Sequence, residues 1–250
     1  WYELQRETVE SGKVVKRFKV GDQVYGYPGQ SFGAYAEYLC FPEDGVVAIK
    51  PANMTYEEAA AVPSGGMAAY SILTQVGIQS GEKILINGAG GSIGTIGLQL
   101  AKHKDAQVTA VDCGDKLEML RDLGADKVLD YTQTDFTSQG ETYDVIFDVV
   151  GKASFRRSLK VLKPGGLFLI ANPSLSKMIR GAFASWFTGK TVYQTVSKHN
   201  IEDLNYLKDL VEEGKLHTVI DRTLRLEYMV EAHHYVEAGR KKGNLVILVA

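Results

Sequence analysis

The chain has 250 residues, which is long for one compact domain and short for two full-sized ones. Its 28 Lys and Arg residues nearly balance 30 Asp and Glu residues, and the net charge of -2 argues against a nucleic-acid partner or an anionic membrane surface. No apolar run has the length of a membrane span, and the cysteines, Cys40 and Cys113, are too few for a disulfide framework or a four-cysteine zinc cluster, so we expect a soluble protein of the cytoplasm.

The first part of the chain, residues 1–62, has the features of short strands and turns. Val20–Gly26 contains a Gly-Asp turn followed by a strand-like segment, and Gly33–Phe41 is rich in the aromatic and small residues typical of β structure. Tyr56–Val62 predicts a helix that ends before Pro63, because the residue before a proline disfavours helical geometry. These patterns indicate a compact, β-rich region.

From about residue 64, strand-like and helix-like segments alternate. The predicted strands are Lys83–Asn87, Gln107–Val111, Lys127–Leu129, Tyr143–Val150 and Leu167–Ala171. The helical patterns between them are Ile93–Ala101, Leu117–Leu123 and Phe155–Leu162. Strands that alternate with helices at this spacing imply parallel pairing through helical crossovers. The sequence therefore predicts an α/β fold with a doubly wound parallel sheet.

The C-terminal segment, residues 196–250, follows a stretch of looser patterning. Two helices are predicted at Asp203–Glu213 and Glu227–Ala238, followed by an apolar strand at Leu245–Val249. Such an apolar strand needs a buried partner. We expect that partner to be either an edge of the α/β sheet or the N-terminal β region.

A glycine-rich turn lies between the first predicted strand of the α/β region and the helix that follows it. Its candidate residues are Gly88, Gly91, Ser92, Ile93 and Gly94. Small residues in this context let backbone N–H groups and the positive end of the helix dipole approach the pyrophosphate of a dinucleotide. The alternative is a glycine turn that only packs tightly, but its place at the first of five alternating strands favours cofactor binding.

Two candidate residues point to different nucleotides. Asp112 ends the second strand, where an acidic residue hydrogen-bonds the adenosine ribose in an NAD site. Lys116 is placed to hold the 2′-phosphate of NADP, and Tyr131 follows the third strand at the same edge of the sheet. Asp112 repels that phosphate unless it turns away or is paired, and Lys116 near a carboxylate can equally be a solvated salt bridge. The residues alone leave this choice open.

Several further segments match one family in order along almost the whole chain. They are Phe18–Val24, Gly33–Tyr38, Ala59–Pro63 with Gly65–Gly66, the glycine turn, Leu123–Asp126 with Asp130–Tyr131, Asp148–Gly151 and Lys163–Gly166. With these segments the sequence resembles the medium-chain dehydrogenase/reductase superfamily, specifically its zinc-independent quinone oxidoreductase-like branch. A collinear set of this kind is far more specific than any single motif.

The resemblance implies a domain organisation. It implies a Rossmann domain over residues 63–195, and a partial, mainly β, GroES-like catalytic domain formed by residues 1–62 together with residues 196–250. Family members extend further upstream of the segment matching Gly21 than this chain does. The resemblance therefore also implies an N-terminally truncated chain. It implies no zinc, because only Cys40 lies where the zinc-containing relatives have four cysteines, and Ser64 is a poor ligand at a third catalytic position.

The resemblance also implies an activity, which is NADPH-dependent reduction of quinones or of activated carbon–carbon double bonds next to a carbonyl. NADP(H) is favoured and NAD(H) is possible, with Lys116 and Tyr131 matching 2′-phosphate contacts, Val150 the adenosine-side loop, and Asn172 and Asn244 later cofactor contacts. The partner is a small-molecule substrate, and a homodimer is possible. The alternatives are a nucleotide-binding protein with little or no turnover, and a relative of the zinc alcohol dehydrogenases.

The sequence does not identify the proton donor. In many relatives a tyrosine of the upstream region lies near this position. Tyr35 and Tyr70 are the remaining candidates in this chain. Tyrosines on apolar segments are usually core residues with one satisfied hydroxyl.

Overall fold

The structure is a computed structural model that describes residues 3–29, 33–171, 189–194 and 199–249. It divides the chain into two compact units. The first consists of Trp1–Met67 together with Lys198–Ala250, and the second of Ala68–Ser197. No helix among the described residues is long and apolar enough to cross a membrane.

The first unit contains an antiparallel sheet with strands β1 (Leu4–Glu7), β2 (Gln23–Tyr27) and β3 (Val46–Ile49), in that spatial order. The predicted β structure at Gly33–Phe41 is wrong, because the described residues of this segment form bends and no strand. Its aromatic residues do not define a buried face, and Tyr38 is 72% exposed.

Two helices follow the sheet. Helix α1 (Tyr56–Ala60) begins with a capping box, in which the Thr55 hydroxyl accepts from the Glu58 N–H and the Glu58 carboxylate accepts from the Thr55 N–H. It ends before the predicted Val62. Pro63 then begins α2 (Pro63–Val76), because a proline fits the first position of a helix, where no intrahelical N–H bond is lost.

The second unit is a parallel sheet with helices between its strands. Its strands are β4 (Lys83–Asn87), β5 (Gln107–Asp112), β6 (Lys127–Asp130), β7 (Tyr143–Asp148), β8 (Leu162–Ile170) and β9 (Thr191–Gln194). Its helices are α3 (Ser92–His103), α4 (Leu117–Asp122) and α5 (Phe155–Lys160). Within the described residues the sheet has six strands in the order β6-β5-β4-β7-β8-β9, all paired in parallel. This confirms the predicted fold class.

The strand order places a candidate binding edge. The chain moves outward from β4 to β5 and β6, then returns to β7 on the other side of β4. In doubly wound sheets, ligands bind outside the carboxyl ends of the strands where the order reverses. The central strand β4 is apolar on both faces, and Ile84, Leu85 and Ile86 are fully buried. A rigid core therefore supports the turn that follows Asn87.

Two details of the second unit differ from the prediction. The helix predicted at Phe155–Leu162 ends at Lys160, and Leu162 already pairs with Tyr143 in β8. This strand runs through Pro164–Gly166, where a shift of register absorbs the turn-forming residues. The edge strand β9 was not predicted.

The C-terminal part of the chain completes the first unit. It contains α6 (Ile201–Glu212), β10 (Ile220–Arg225), α7 (Met229–Glu237) and β11 (Asn244–Leu248). Strand β11 pairs in parallel with β10, so both predicted partners of the C-terminal strand are wrong. The reason is that β10 includes Asp221, Arg222 and Arg225 and is only partly buried, so it has no apolar run that indicates a strand.

Candidate functional site

The glycine turn crosses from β4 to α3 over the end of the neighbouring strand β5. Gly88 has a φ of +85°, a conformation that residues with a Cβ rarely adopt. The N–H groups of Gly88 and Ala89 both donate to the Val111 carbonyl, at 2.9 and 3.1 Å. Helix α3 then begins at Ser92 with Gly91 as its N-cap, so the first helical turn faces the carboxyl edge of the sheet.

A Cβ placed at each glycine of this turn would meet different neighbouring atoms. A Cβ at Gly94 would lie 2.6 Å from the Ala89 Cα, and one at Gly88 would overlap the Val150 side chain. At Gly91 the nearest such atom is the Gly88 carbonyl oxygen at 3.9 Å. Among the described residues, packing therefore requires glycine at positions 88 and 94 but leaves room for a Cβ at position 91. Gly91 is the N-cap of α3, where glycine is one of the preferred residues, and close approach of a ligand to its backbone is a second explanation for a glycine here.

A buried ion pair lies beneath the turn. The Lys116 ammonium is 3.1 Å from Asp112 Oδ1, and each residue is only 5% exposed. The Gly90 N–H donates to Asp112 Oδ2 at 2.7 Å, and the Cys113 N–H donates to Asp112 Oδ1 at 2.9 Å. The alternative of a solvated salt bridge is therefore wrong, because the turn covers the pair. Asp112 is therefore paired with Lys116. An unpaired carboxylate at this position would repel the 2′-phosphate of NADP, and this pairing removes that objection.

A second buried carboxylate holds the opposite side of the turn. Asp148 is 3% exposed at the end of β7, and its Oδ1 accepts from Asn87 Nδ2 at 2.8 Å and from the Gly151 N–H at 2.9 Å. These bonds fix the loop that places Val150 against Gly88. In the sequence, Asp148 stands out only as part of a segment that matches the family. Its role depends on β4 and β7 being neighbours, which the order of segments along the chain does not show.

Two exposed apolar side chains lie on either side of the turn at the same edge of the sheet. Tyr131 follows β6, is 59% exposed, and its N–H donates to the Asp112 carbonyl at 3.1 Å. Val150 follows β7 and is 45% exposed. The structure thus brings most of the predicted cofactor residues to one edge of the second unit. They are Gly88, Gly91, Ser92, Ile93, Gly94, Asp112, Lys116, Tyr131 and Val150.

The other candidates lie elsewhere. Asn172 is outside the described residues. Asn244 belongs to the first unit, where it is 5% exposed and its side-chain amide donates to the Val219 carbonyl at 3.2 Å. Tyr35 also belongs to the first unit, and burial raises the pKa of its hydroxyl to about 12. Tyr70 lies on α2, in the part of the helix that belongs to the second unit.

The described residues do not fit a metal ion. No group of three His, Cys, Asp or Glu side chains is placed to hold one in that part of the chain. Cys40 is exposed in the first unit, and Cys113 lies in the second. The Ser64 N–H donates to Glu3 Oε1 at 2.9 Å, and a serine hydroxyl is a poor zinc ligand.

Comparison with known proteins defines the family. A family described as zinc-binding dehydrogenase matches residues 123–247. The chain is 34% identical to 2-methylene-furan-3-one reductase of Solanum lycopersicum, over 98% of this chain and 62% of that protein. It is 33% identical to the mitochondrial NAD(P)H oxidoreductase RTN4IP1 of Bos taurus, over 96% of this chain and 68% of that protein.

A solved structure agrees with these relatives. The quinone oxidoreductase from Coxiella burnetii superposes with a TM-score of 0.90 at 30% identity, covering 100% of this chain and 78% of that one. The chain belongs to the medium-chain dehydrogenase/reductase superfamily, in its zinc-independent quinone oxidoreductase-like branch. This confirms the resemblance, and the Rossmann fold of the second unit agrees with it. The chain spans less than two thirds of the length of the tomato reductase.

The different surroundings of Gly91 and Gly94 lead to a paired prediction. Gly91→Val is expected to lower the thermal unfolding midpoint by no more than about 4 °C, because the described residues leave room for the side chain and the variant loses only the N-cap preference for glycine. The same variant is expected to weaken binding of NADPH at least about tenfold, because the side chain would keep the pyrophosphate from the backbone.

Gly94→Val is the matched control. Its side chain would overlap the backbone of Gly88 and Ala89, so we expect a lowered unfolding midpoint as well as lost binding. Calorimetry of unfolding and of NADPH binding measures both properties. Full NADPH affinity in a folded Gly91→Val protein would show that the turn does not approach a ligand.

Proposed function

We propose that the chain is part of an NADPH-dependent oxidoreductase that reduces quinones or the activated double bonds of α,β-unsaturated carbonyls without zinc. The observation that carries this proposal is the open backbone at Gly91, in a turn at the point where the strand order reverses. The names of the relatives, 2-methylene-furan-3-one reductase and quinone oxidoreductase among them, support the reaction class.

The proposed cofactor site begins at the first turn of α3. The proposed pyrophosphate contacts are the backbone N–H groups of Ser92, Ile93 and Gly94 in this first turn, where the helix dipole favours an anion. These groups would hold the pyrophosphate. The exposed side chain of Val150 would contact the adenosine side, and Asn172 and Asn244 remain proposed contacts of the cofactor.

The preference for NADP(H) rests on the charge balance at Asp112. An unpaired carboxylate at the end of β5 would repel a 2′-phosphate, but the ammonium of Lys116 neutralises it. Both carboxylate oxygens already accept hydrogen bonds. The Lys116 side chain is only 7% exposed, as is that of Asp112, so its ammonium would act on the 2′-phosphate mainly through its charge, and the exposed Tyr131 would contact the phosphate directly.

A bound nicotinamide cofactor supplies the hydride for this chemistry. The chain itself positions the cofactor and excludes water from the reacting groups. The carbonyl of a quinone or enone is part of the substrate, so the negative charge that develops on its oxygen needs only a hydrogen-bond donor. Tyr35 and Tyr70 remain the candidate donors, since a tyrosine hydroxyl is protonated at neutral pH and can donate to that oxygen.

The reaction class predicts a direct assay. The absorbance of NADPH is expected to fall when the protein is mixed with a quinone or a conjugated ketone, and treatment with a chelator is expected to leave the rate unchanged. NADPH binding without turnover across a broad panel of such substrates would favour the alternative of a nucleotide-binding protein. Loss of activity on chelation would instead favour a zinc enzyme.

The cofactor preference predicts a second experiment. Lys116→Ala is expected to weaken NADPH binding at least about tenfold more than NADH binding, because only NADPH has the charged 2′-phosphate, whereas the effect of the unpaired Asp112 on the turn falls on both nucleotides alike. Lys127→Ala is the control, since Lys127 is also ion-paired, with Glu141 at 2.6 Å, but lies at the start of β6. The control is expected to leave both affinities unchanged. Equal weakening of NADH and NADPH in Lys116→Ala would contradict the assignment.

A further inference from the structure

We propose that Asp112 is a positioning residue of the pyrophosphate turn, acting through the Gly90 N–H, and not a ligand of the adenosine ribose. The inference rests on the proposed function, because it concerns how the same site holds a nicotinamide dinucleotide. It reverses the usual expectation for an acidic residue at the end of the second strand.

The contacts of Asp112 hold its carboxylate in place from three directions. Oδ2 accepts from the Gly90 N–H in the turn, and Oδ1 accepts from the Cys113 N–H just after β5. The Lys116 ammonium, four residues further along the chain, pairs with Oδ1. Hydrogen bonds to charged groups that are shielded from water are among the stronger ones in proteins. The carboxylate therefore ties the turn to the end of β5 and to the start of α4.

The same contacts turn the carboxylate away from a nucleotide. The side chain of Asp112 is only 7% exposed, so little of it can meet a ribose hydroxyl at the surface. A Cβ at Gly90 would lie 2.9 Å from Asp112 Oδ2 and 2.5 Å from the Lys116 Cδ. The backbone of Gly90 thus lies directly against the ion pair. This contact explains why position 90 is glycine.

The bond to Gly90 fixes the part of the backbone that precedes the pyrophosphate donors. The Gly90 N–H donates to Asp112 Oδ2. This hydrogen bond orients the peptide that leads into Gly91 and the first turn of α3. An effect on this peptide changes the affinity for every nicotinamide dinucleotide by the same factor. An effect through the ribose would instead depend on the 2′-hydroxyl.

Two double variants isolate the hydrogen bond. Asp112→Asn/Lys116→Met keeps an acceptor for the Gly90 N–H, and Asp112→Ala/Lys116→Met removes it. Both variants lose both buried charges, so neither leaves an unpaired ion in the protein. The probes are NADH and its analogue that lacks the 2′-hydroxyl of the adenosine ribose. Neither probe has a 2′-phosphate, so the loss of Lys116 does not confound the comparison.

The expected result is that the Ala/Met protein binds both probes about tenfold more weakly than the Asn/Met protein, by factors that agree within about twofold. Weakening confined to NADH would overturn the inference in favour of a ribose contact. Equal dissociation constants for the two variants would overturn it as well, even if the Ala/Met protein has a lower unfolding midpoint, because Asp112 would then serve stability alone.

The wild-type chain supplies a check that does not need the Ala/Met protein to fold. A preference of the wild type for NADH over its 2′-deoxy analogue that disappears in the Asn/Met protein would overturn the inference. The same preference, or none, in both proteins supports it. If the wild type binds neither probe and does not bind NADPH, the proposed function itself fails, and the inference fails with it.

Discussion

The close contact between α3 and the turn after β4 is the constraint on which the proposed site depends. Because Gly94 has no side chain, the helix meets the backbone of Gly88 and Ala89 directly. That contact fixes the position of the first helical turn at the carboxyl edge of the sheet. Of the three spaced glycines, Gly91 is the one at which the described residues leave room for a side chain, and a helix N-terminus at such a place is suited to an anion.

Two buried carboxylates hold this turn from either side. Asp112 connects it to β5 and to Lys116, and Asp148 connects the end of β4 to the loop that carries Val150. Burying a carboxylate without partners costs much more free energy than one hydrogen bond contributes. Both of these carboxylates have hydrogen-bond partners. The charged groups of the site therefore define its shape as well as its electrostatics.

Sequence patterns predicted the elements that have a distinct hydrophobic signal. The alternation of strand-like and helix-like segments after residue 64 predicted the α/β fold, and the glycines after β4 predicted the place of the turn. Strand β10 was missed because Asp221 and Arg222 interrupt any apolar pattern. The burial of Lys116 was also missed, because an Asp and a Lys four residues apart usually form a solvated pair. What covers them is Gly90, from another segment, and the bonds of Asp148 likewise depend on strands that are adjacent only in the folded protein.

The most direct test of the account is an NMR titration of the isotope-labelled chain with NADPH, followed through its backbone amides. The account predicts that the largest shifts fall on the amides of Gly91, Ser92, Ile93 and Gly94, with saturation at one equivalent of nucleotide. Saturable binding that leaves these four amides unshifted would contradict it, because the pyrophosphate would then lie somewhere other than the first turn of α3.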